Sequence, residues 1–273
     1  MRAVTDRFLQ AADGLRLHIA SFGGDEGPPL LFIHGSFGHA RVWDFVVSYL
    51  PPQRRAVAMD LPGHGDSSHA PHEERYAFEH LVEDIRCVVE LIGGKPVLAG
   101  HSVGSALAML CGAAFPGLLS GAVLMDIDPR PPDRQPQHLN DVGRSPPRSY
   151  PSMALAAARE ARIAPAASPA VQSHLALHGY RLTDAGYTQK FDQAFLRSVR
   201  TWDARELLPA VTIPALVLRG GDSTVMSDEG YRDLIERLPN VRGETVFGAT
   251  HQLHLDMPKA VAAAIESFVA GLR

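Results

Sequence analysis

The stretch Gly100-His101-Ser102-Val103-Gly104 determines how the rest of this 273-residue chain is interpreted. An apolar run at 96–99 precedes it and predicts a strand, and an alanine- and leucine-rich run at 105–115 follows and predicts a helix. A serine in G-x-S-x-G between a strand and a helix lies on a sharp turn that exposes its hydroxyl at the carboxyl end of a sheet. Glycines flank such a turn because side chains there would clash with the neighbouring strand and helix. Ser102 is therefore a candidate nucleophile, since a helix-capping role would explain the serine but not the two glycines.

Strand-like and helix-like segments alternate along most of the chain. This alternation predicts an α/β fold in which helices cover a mostly parallel sheet. Runs at 7–11 and 15–19 flank a short turn and predict an opening hairpin. Further strands are expected at 29–33, 55–59, 121–125, 215–219 and 244–247, and helices at 78–92, 228–237 and 258–272.

Residues 128–203 interrupt the alternation. This segment is rich in proline and arginine, shows no clear strand and contains several short helical stretches. Apolar side chains such as Tyr180, Phe195 and Trp202 favour a packed unit over a disordered linker. We therefore expect a core formed by residues 1–127 and 204–273, with 128–203 inserted as a helical cap over the sheet edge.

Composition and charge exclude several classes of function. The chain has 26 basic and 30 acidic residues without a dense basic patch, so no nucleic-acid partner is expected. No apolar run is long enough to span a bilayer, and residues 1–11 lack the apolar block of a signal peptide. Cys87 and Cys111 lie in apolar helical patterns and are expected to be buried free thiols, which favours a cytoplasmic location.

A serine hydroxyl needs a base to become a nucleophile, and histidine is the usual one because its pKa lies near the working pH. Among thirteen histidines, His251 lies between a predicted strand and the last helix, which places it at the same sheet edge as Ser102. His254 is the main rival and is expected to pack or cap instead. The side chain of His101, next to the candidate nucleophile, is expected to point away along the turn.

Three further segments have recognisable patterns. They are His34-Gly35-Ser36-Phe37-Gly38 with Trp43, Asp60-Leu61-Pro62-Gly63-His64-Gly65-Asp66-Ser67-Ser68, and Gly248 to Pro258 with His251 as its fourth residue. Together with the serine turn, they make the chain resemble an α/β-hydrolase everywhere except the 128–203 insert. The segments resemble the family's oxyanion loop, its D-x-P-G-x-G-x-S segment and its G-x-x-H ending. These motifs are specific for the fold and poorly specific for the substrate.

The resemblance implies an oxyanion hole built from two backbone N–H groups. Val103 supplies one from its position directly after the nucleophile. The loop after the third strand supplies the other, by resemblance from Ser36, with Phe37 as the alternative donor. Phe37 is also expected to contact the substrate.

The acid that completes a Ser-His-acid triad has more than one candidate. In most relatives it follows the strand that is 215–219 here, but the usual G-x-x-D pattern aligns the acid position with Ser223 and leaves Asp222 one residue early. Some relatives place the acid after the strand that is 121–125 here, which makes Asp126 the alternative. Asp128 is a third option, with capping of the insert as its other role. Asp126 and Asp222 both remain candidates at this stage.

A serine nucleophile indicates acyl chemistry, since the relatives that dehalogenate or open epoxides use aspartate at this position. No metal or cofactor is expected, because the histidines lack H-E-x-x-H spacing and the cysteines lack C-x-x-C spacing. Asp60 and His64 could mimic metal ligands, but a glycine-rich turn explains them more simply.

The leading hypothesis is a hydrolase of a small to medium uncharged carboxylic ester, lactone or thioester, and its partner is a small molecule. A C–C bond hydrolase, amidase, perhydrolase or acyltransferase of the same fold is an alternative. A hydrolase-like ligand receptor with an intact triad is another, because the site geometry can be identical.

Overall fold

A computed structural model describes residues 1–272. The strands are β1 (Thr5–Gln10), β2 (Arg16–Ser21), β3 (Glu26–Ile33), β4 (Arg54–Met59), β5 (Val97–His101), β6 (Gly121–Met125), β7 (Ser149–Tyr150), β8 (Tyr180–Thr183), β9 (Gly186–Gln189), β10 (Ala215–Gly220) and β11 (Val241–Val246). The helices are α1 (Asp44–Val47), α2 (Phe78–Ile92), α3 (Val103–Ala114), α4 (Arg134–Arg144), α5 (Met153–Ile163), α6 (Pro169–Gly179), α7 (Gln193–Ser198), α8 (Asp228–Arg237), α9 (Leu253–Asp256) and α10 (Pro258–Ala270).

Eight strands form the central sheet in the order β1-β2-β4-β3-β5-β6-β10-β11. β1 pairs antiparallel with β2, and β2 pairs antiparallel with β4. The other five pairs of this sheet, from β4-β3 through β10-β11 in the order just given, are parallel. The carboxyl ends of these six strands therefore lie at one edge of the sheet. The predicted opening hairpin and mostly parallel sheet are confirmed.

The sheet separates two apolar cores because side chains alternate between the faces of a strand. In β3, Leu31 and Ile33 join one core while Leu30 and Phe32 join the other. Helix α2 covers the first core with a stripe that includes Leu81, Ile85 and Val88, spaced three or four residues apart. The structure gives α2 the same bounds as the sequence predicted, since Gly93, with φ 63°, ends it.

The segment between β6 and β10 contributes no strand to the central sheet within residues 1–272. It holds α4 to α7 and a small antiparallel sheet in the order β7-β9-β8. The expectation of no clear strand here was wrong. These strands are only two to four residues long, and nine of their ten residues are half-buried or exposed, so their sequences lack the apolar alternation that marks a strand with one buried face.

Across residues 1–272, the helices are too short or too polar for any of them to cross a membrane.

Candidate active site

Ser102 occupies the sharp turn between β5 and α3. Its backbone has φ 53° and ψ −121°, and its N–H donates to the Met125 carbonyl at 2.9 Å. A Cβ on Gly100 would lie 2.2 Å from the Gly104 carbonyl oxygen, and a Cβ on Gly104 would lie 2.3 Å from the Ile33 carbonyl oxygen. Both distances are shorter than van der Waals contact, so the turn requires glycine on either side of the serine.

Asp126 lies directly after β6 and is hydrogen-bonded to His251. The distance from His251 Nδ1 to Asp126 Oδ2 is 2.7 Å, and Asp126 is fully buried. Its Oδ2 also accepts from the Ser223 hydroxyl at 2.5 Å, while Oδ1 accepts from the Gly220 N–H at 3.0 Å. Asp126 has φ 51°, a left-handed conformation that aspartate tolerates better than most side chains. The Gly220 N–H and the Ser223 hydroxyl therefore fix this carboxylate against the imidazole of His251.

The other two acid candidates lie apart from His251. Asp222 is exposed, and its side chain forms no hydrogen bond with residues 1–272, although its backbone N–H donates to the Ala249 carbonyl at 2.9 Å. Asp128 accepts from the Ser227 N–H at 3.1 Å and the Ser227 hydroxyl at 2.6 Å, which ties the start of the insert to α8. Of the three carboxylates, the structure brings Asp126 to the imidazole.

His101 connects the serine turn to the loop that carries His251. Its buried ring donates from Nε2 to the His251 carbonyl oxygen at 2.8 Å, and the two ring centroids are 4.6 Å apart. His254 packs between His101 and Trp43, with ring centroids 4.3 Å and 4.8 Å away. Burial, with a smaller effect of His251, lowers the pKa of His254 to about 3, so this ring is neutral at pH 7.

The Ser36 loop lies against the serine turn. Gly38 N–H donates to the Gly35 carbonyl at 3.0 Å and closes a tight turn through Ser36 and Phe37. A Cβ on Gly35 would lie 3.0 Å from the Ser102 Cβ, which shows how closely the two turns approach. Across the described chain, neither the Ser36 N–H nor the Val103 N–H is used in a hydrogen bond, so both are available to a ligand.

A cavity of about 60 Å³, called the front cavity here, opens beside Ser102. Ser36 and Val103 line it from the core, and Leu139 and Trp202 line it from the insert. Its wall is mostly apolar. A surface groove of about 290 Å³ shares Phe78, Arg200 and Trp202 with this cavity.

A second cavity of about 40 Å³, called the rear cavity here, shares Ser36 with the front cavity. Phe37, expected to contact substrate, lines the rear cavity rather than the front one and packs on Phe191 with ring centroids 5.0 Å apart. His39 and Glu160 are also in its wall.

Asp60 holds the turn that follows β4. Its carboxylate accepts from the Ala40 N–H at 2.5 Å and the Asp66 N–H at 2.8 Å, and pairs with His18 Nδ1 at 2.7 Å. Burial opposes ionisation, but the hydrogen bond from His18 and the nearby imidazoles lower the Asp60 pKa to about 2. These bonds support a turn-forming role for Asp60 over a ligand-like one.

Sequence reasoning missed two contributors to the site. Ser223 had a signal, since it occupies the position where G-x-x-D would place an acid, and it donates to Asp126. Glu160 had none, because a single glutamate in a helix is usually solvated and only the folded chain brings it to the rear cavity.

Comparisons with known proteins identify the family of the chain. The sequence profile described as "alpha/beta hydrolase fold" matches residues 28–258, and the chain belongs to this family. It is 26% identical to the sn-1-specific diacylglycerol lipase ABHD11 of Mus musculus, over 89% of this chain and 81% of that protein. It is 28% identical to esterase Rv0045c of Mycobacterium tuberculosis, over 87% of this chain and 81% of that protein.

The solved structure of E-2-(acetamidomethylene)succinate hydrolase superposes on this chain with a TM-score of 0.89. The match covers 98% of this chain and all of the other, at 23% identity, and shows the shared fold. Together, the family and its esterase and lipase relatives identify a hydrolase of the α/β-hydrolase fold.

Proposed function

We propose that this protein hydrolyses a small to medium uncharged carboxylic ester, lactone or thioester through an acyl-enzyme on Ser102. The observation that carries the proposal is the 2.7 Å bond between His251 Nδ1 and the buried Asp126 carboxylate. A carboxylate on Nδ1 leaves Nε2 as the basic nitrogen of the neutral imidazole, which is the nitrogen that must accept the serine proton.

The proposed reaction proceeds in two halves. His251 Nε2 takes the Ser102 proton as Oγ attacks the carbonyl carbon, and Asp126 stabilises the imidazolium that forms. The Val103 and Ser36 N–H groups stabilise the tetrahedral oxyanion. The alkoxide or thiolate leaves with the proton from His251. Water, deprotonated by the same nitrogen, then attacks the acyl-enzyme and releases the carboxylic acid and free Ser102.

The shape of the site supports the substrate class. The front cavity is apolar and about 60 Å³, which suits a short uncharged acyl or alcohol group. We further propose that residues 128–203 act as the cap of this cavity, because Leu139 and Trp202 from that segment line it. A cytoplasmic location is proposed from the free thiols of Cys87 and Cys111.

Hydrolysis of p-nitrophenyl esters of increasing acyl length tests the proposal. We expect the wild-type protein to turn over short acyl chains best, and Ser102→Ala to lose about 10⁴-fold or more in kcat. Ser48→Ala, at an exposed serine outside the site, serves as the matched control and should match wild type. A folded wild-type protein that hydrolyses no ester would overturn the proposal and favour amide or C–C substrates, or a receptor.

A further inference from the structure

The rear cavity contains buried polar groups whose hydrogen-bonding capacity is unused. His39, His254 and Glu160 line it and are only 5%, 2% and 8% exposed. The Nδ1 atoms of His39 and His254 have no hydrogen-bond partner among residues 1–272. Unpartnered polar atoms at such depth are costly and therefore uncommon in folded proteins. Two such atoms on residues that line one cavity make that cavity a candidate site for a polar ligand group.

The bonds that do exist define what the cavity offers. His39 Nε2 lies 3.2 Å from the Leu175 carbonyl oxygen. Because a carbonyl can only accept, Nε2 carries the proton and the free Nδ1 of the neutral ring is an acceptor. Burial lowers the His39 pKa to about 3, so the ring stays neutral at physiological pH.

Glu160 adds further acceptor capacity. Its Oε1 accepts from the Tyr180 hydroxyl at 2.8 Å, and Oε2 carries no hydrogen bond from residues 1–272. Tyr180 is itself buried, so this bond fixes the carboxyl group against the cavity wall. Burial raises the pKa of the Glu160 carboxyl, and in its ionised form Glu160 joins His39 in presenting acceptor atoms to a group that donates hydrogen bonds.

The size and position of the rear cavity restrict the ligand further. The rear cavity offers only about 40 Å³, so a donor group that binds there is compact. Ser36 lines both cavities, and His101 and Gln252, the neighbours of Ser102 and His251, are also in the rear wall. A group bound there lies close to a carbonyl held at Ser102.

We propose that the rear cavity is a specificity subsite in which Glu160 and His39 bind a hydroxyl or ammonium group carried by the substrate. The inference rests on the proposed function for the position of the substrate carbonyl, and an ammonium-bearing ester would replace the uncharged substrate class proposed there. It identifies the substrate as a small ester that carries one compact hydrogen-bond donor a few bonds from the scissile bond. Trapped water is the competing occupant.

Binding to Ser102→Ala tests the subsite without requiring turnover. Titration calorimetry compares ethyl butanoates that carry a hydroxyl, an ammonium or a methyl group at carbon 2, 3 or 4. We expect the hydroxyl or the ammonium ester to bind about tenfold more tightly than its methyl counterpart at one position, because a lost partner leaves buried acceptors unpaired. Whichever of the hydroxyl and ammonium esters binds more tightly identifies the donor group.

Variants at the subsite then separate its contribution from the rest of the pocket. In the Ser102→Ala background, Glu160→Leu should abolish the preference, and Glu160→Gln should reduce preference for the ammonium more than for the hydroxyl. Glu236→Gln, at an exposed glutamate on α8, should leave it unchanged. His39→Gln gives an independent test if Glu160→Leu does not fold, and it should weaken the preference.

Equal binding of all three esters at every position, or a preference that survives Glu160→Leu, would overturn the subsite and leave a water-filled cavity. Wild-type hydrolysis of the same esters is measured in parallel. Hydrolysis without preference refutes the subsite alone, whereas a binding preference without hydrolysis refutes the proposed function alone.

Discussion

The Asp126 corner is the name used here for the Asp126 carboxylate with Gly220, Ser223 and His251. This corner and the rear cavity are both buried and polar, but they differ in how many of their polar atoms have hydrogen-bond partners. Asp126 accepts from Gly220 and Ser223 and pairs with His251, so both carboxylate oxygens are occupied. In the rear cavity, His39 and His254 each have an Nδ1 without a partner in the part of the chain that the structure describes. Under the two proposals, the Asp126 site holds one geometry through a reaction and is completed by the protein itself, whereas the rear cavity receives a ligand and leaves atoms unpaired.

Removing the charge of the Asp126 corner is the strongest way to break this contrast. Asp126→Asn should lower kcat by about 10⁴-fold, because an amide can impose the wrong imidazole tautomer and cannot stabilise the imidazolium. Ester hydrolysis by the purified variant measures the effect. Asp222→Asn is the matched control because it makes the same substitution at an exposed aspartate. Its kcat should remain within a few-fold of the wild-type value. A large loss in Asp222→Asn with Asp126→Asn active would refute the assignment.

Acid should destabilise the protein through the neutral histidines around the rear cavity. His39 and His254 have pKa values lowered to about 3 by burial, against 6.5 for a free imidazole, so the unfolded chain binds more protons between these limits. The free energy of unfolding should therefore fall as pH drops from 6.5 towards 3, by about 1.4 kcal/mol per pH unit for each ring.

Urea unfolding at pH 7, 6 and 5 measures that slope. His39→Gln should make it shallower, while His72→Gln, at an exposed position, should leave it unchanged. The same free energy of unfolding at pH 7 and pH 5 would contradict the prediction and with it the neutral state of these rings.

The smallest effect is expected from a bond that supports the Asp126 corner without carrying its charge. Ser223→Ala removes the 2.5 Å bond to Asp126 Oδ2 but leaves the bonds from Gly220 and His251. We expect a loss of about tenfold in kcat with KM little changed, since the carboxylate is less firmly oriented. Steady-state kinetics across acyl lengths provide the measurement. An equal rise in KM for every ester would instead indicate a change in the binding pocket.

The sequence predicted the fold well where local patterns carry the information. Apolar periodicity gives α2 its bounds, and the glycines around Ser102 predict a turn that the backbone requires. It predicted neither β7 to β9 nor the choice between Asp126 and Asp222. Both depend on which segments meet in space, since Asp126 and His251 are 125 residues apart. The same holds for Glu160, which reaches the rear cavity only through the packing of α5.

The two tryptophans of the chain are divided between the two cavities. Trp202 lines the front cavity, and Trp43 packs with a tilted ring against His254, which is in the wall of the rear one. Each cavity therefore has a tryptophan in its wall or directly behind it. With Trp43→Phe and Trp202→Phe as single-emitter proteins, the emission change on adding a ligand assigns each arm of that ligand to one cavity without any attached dye.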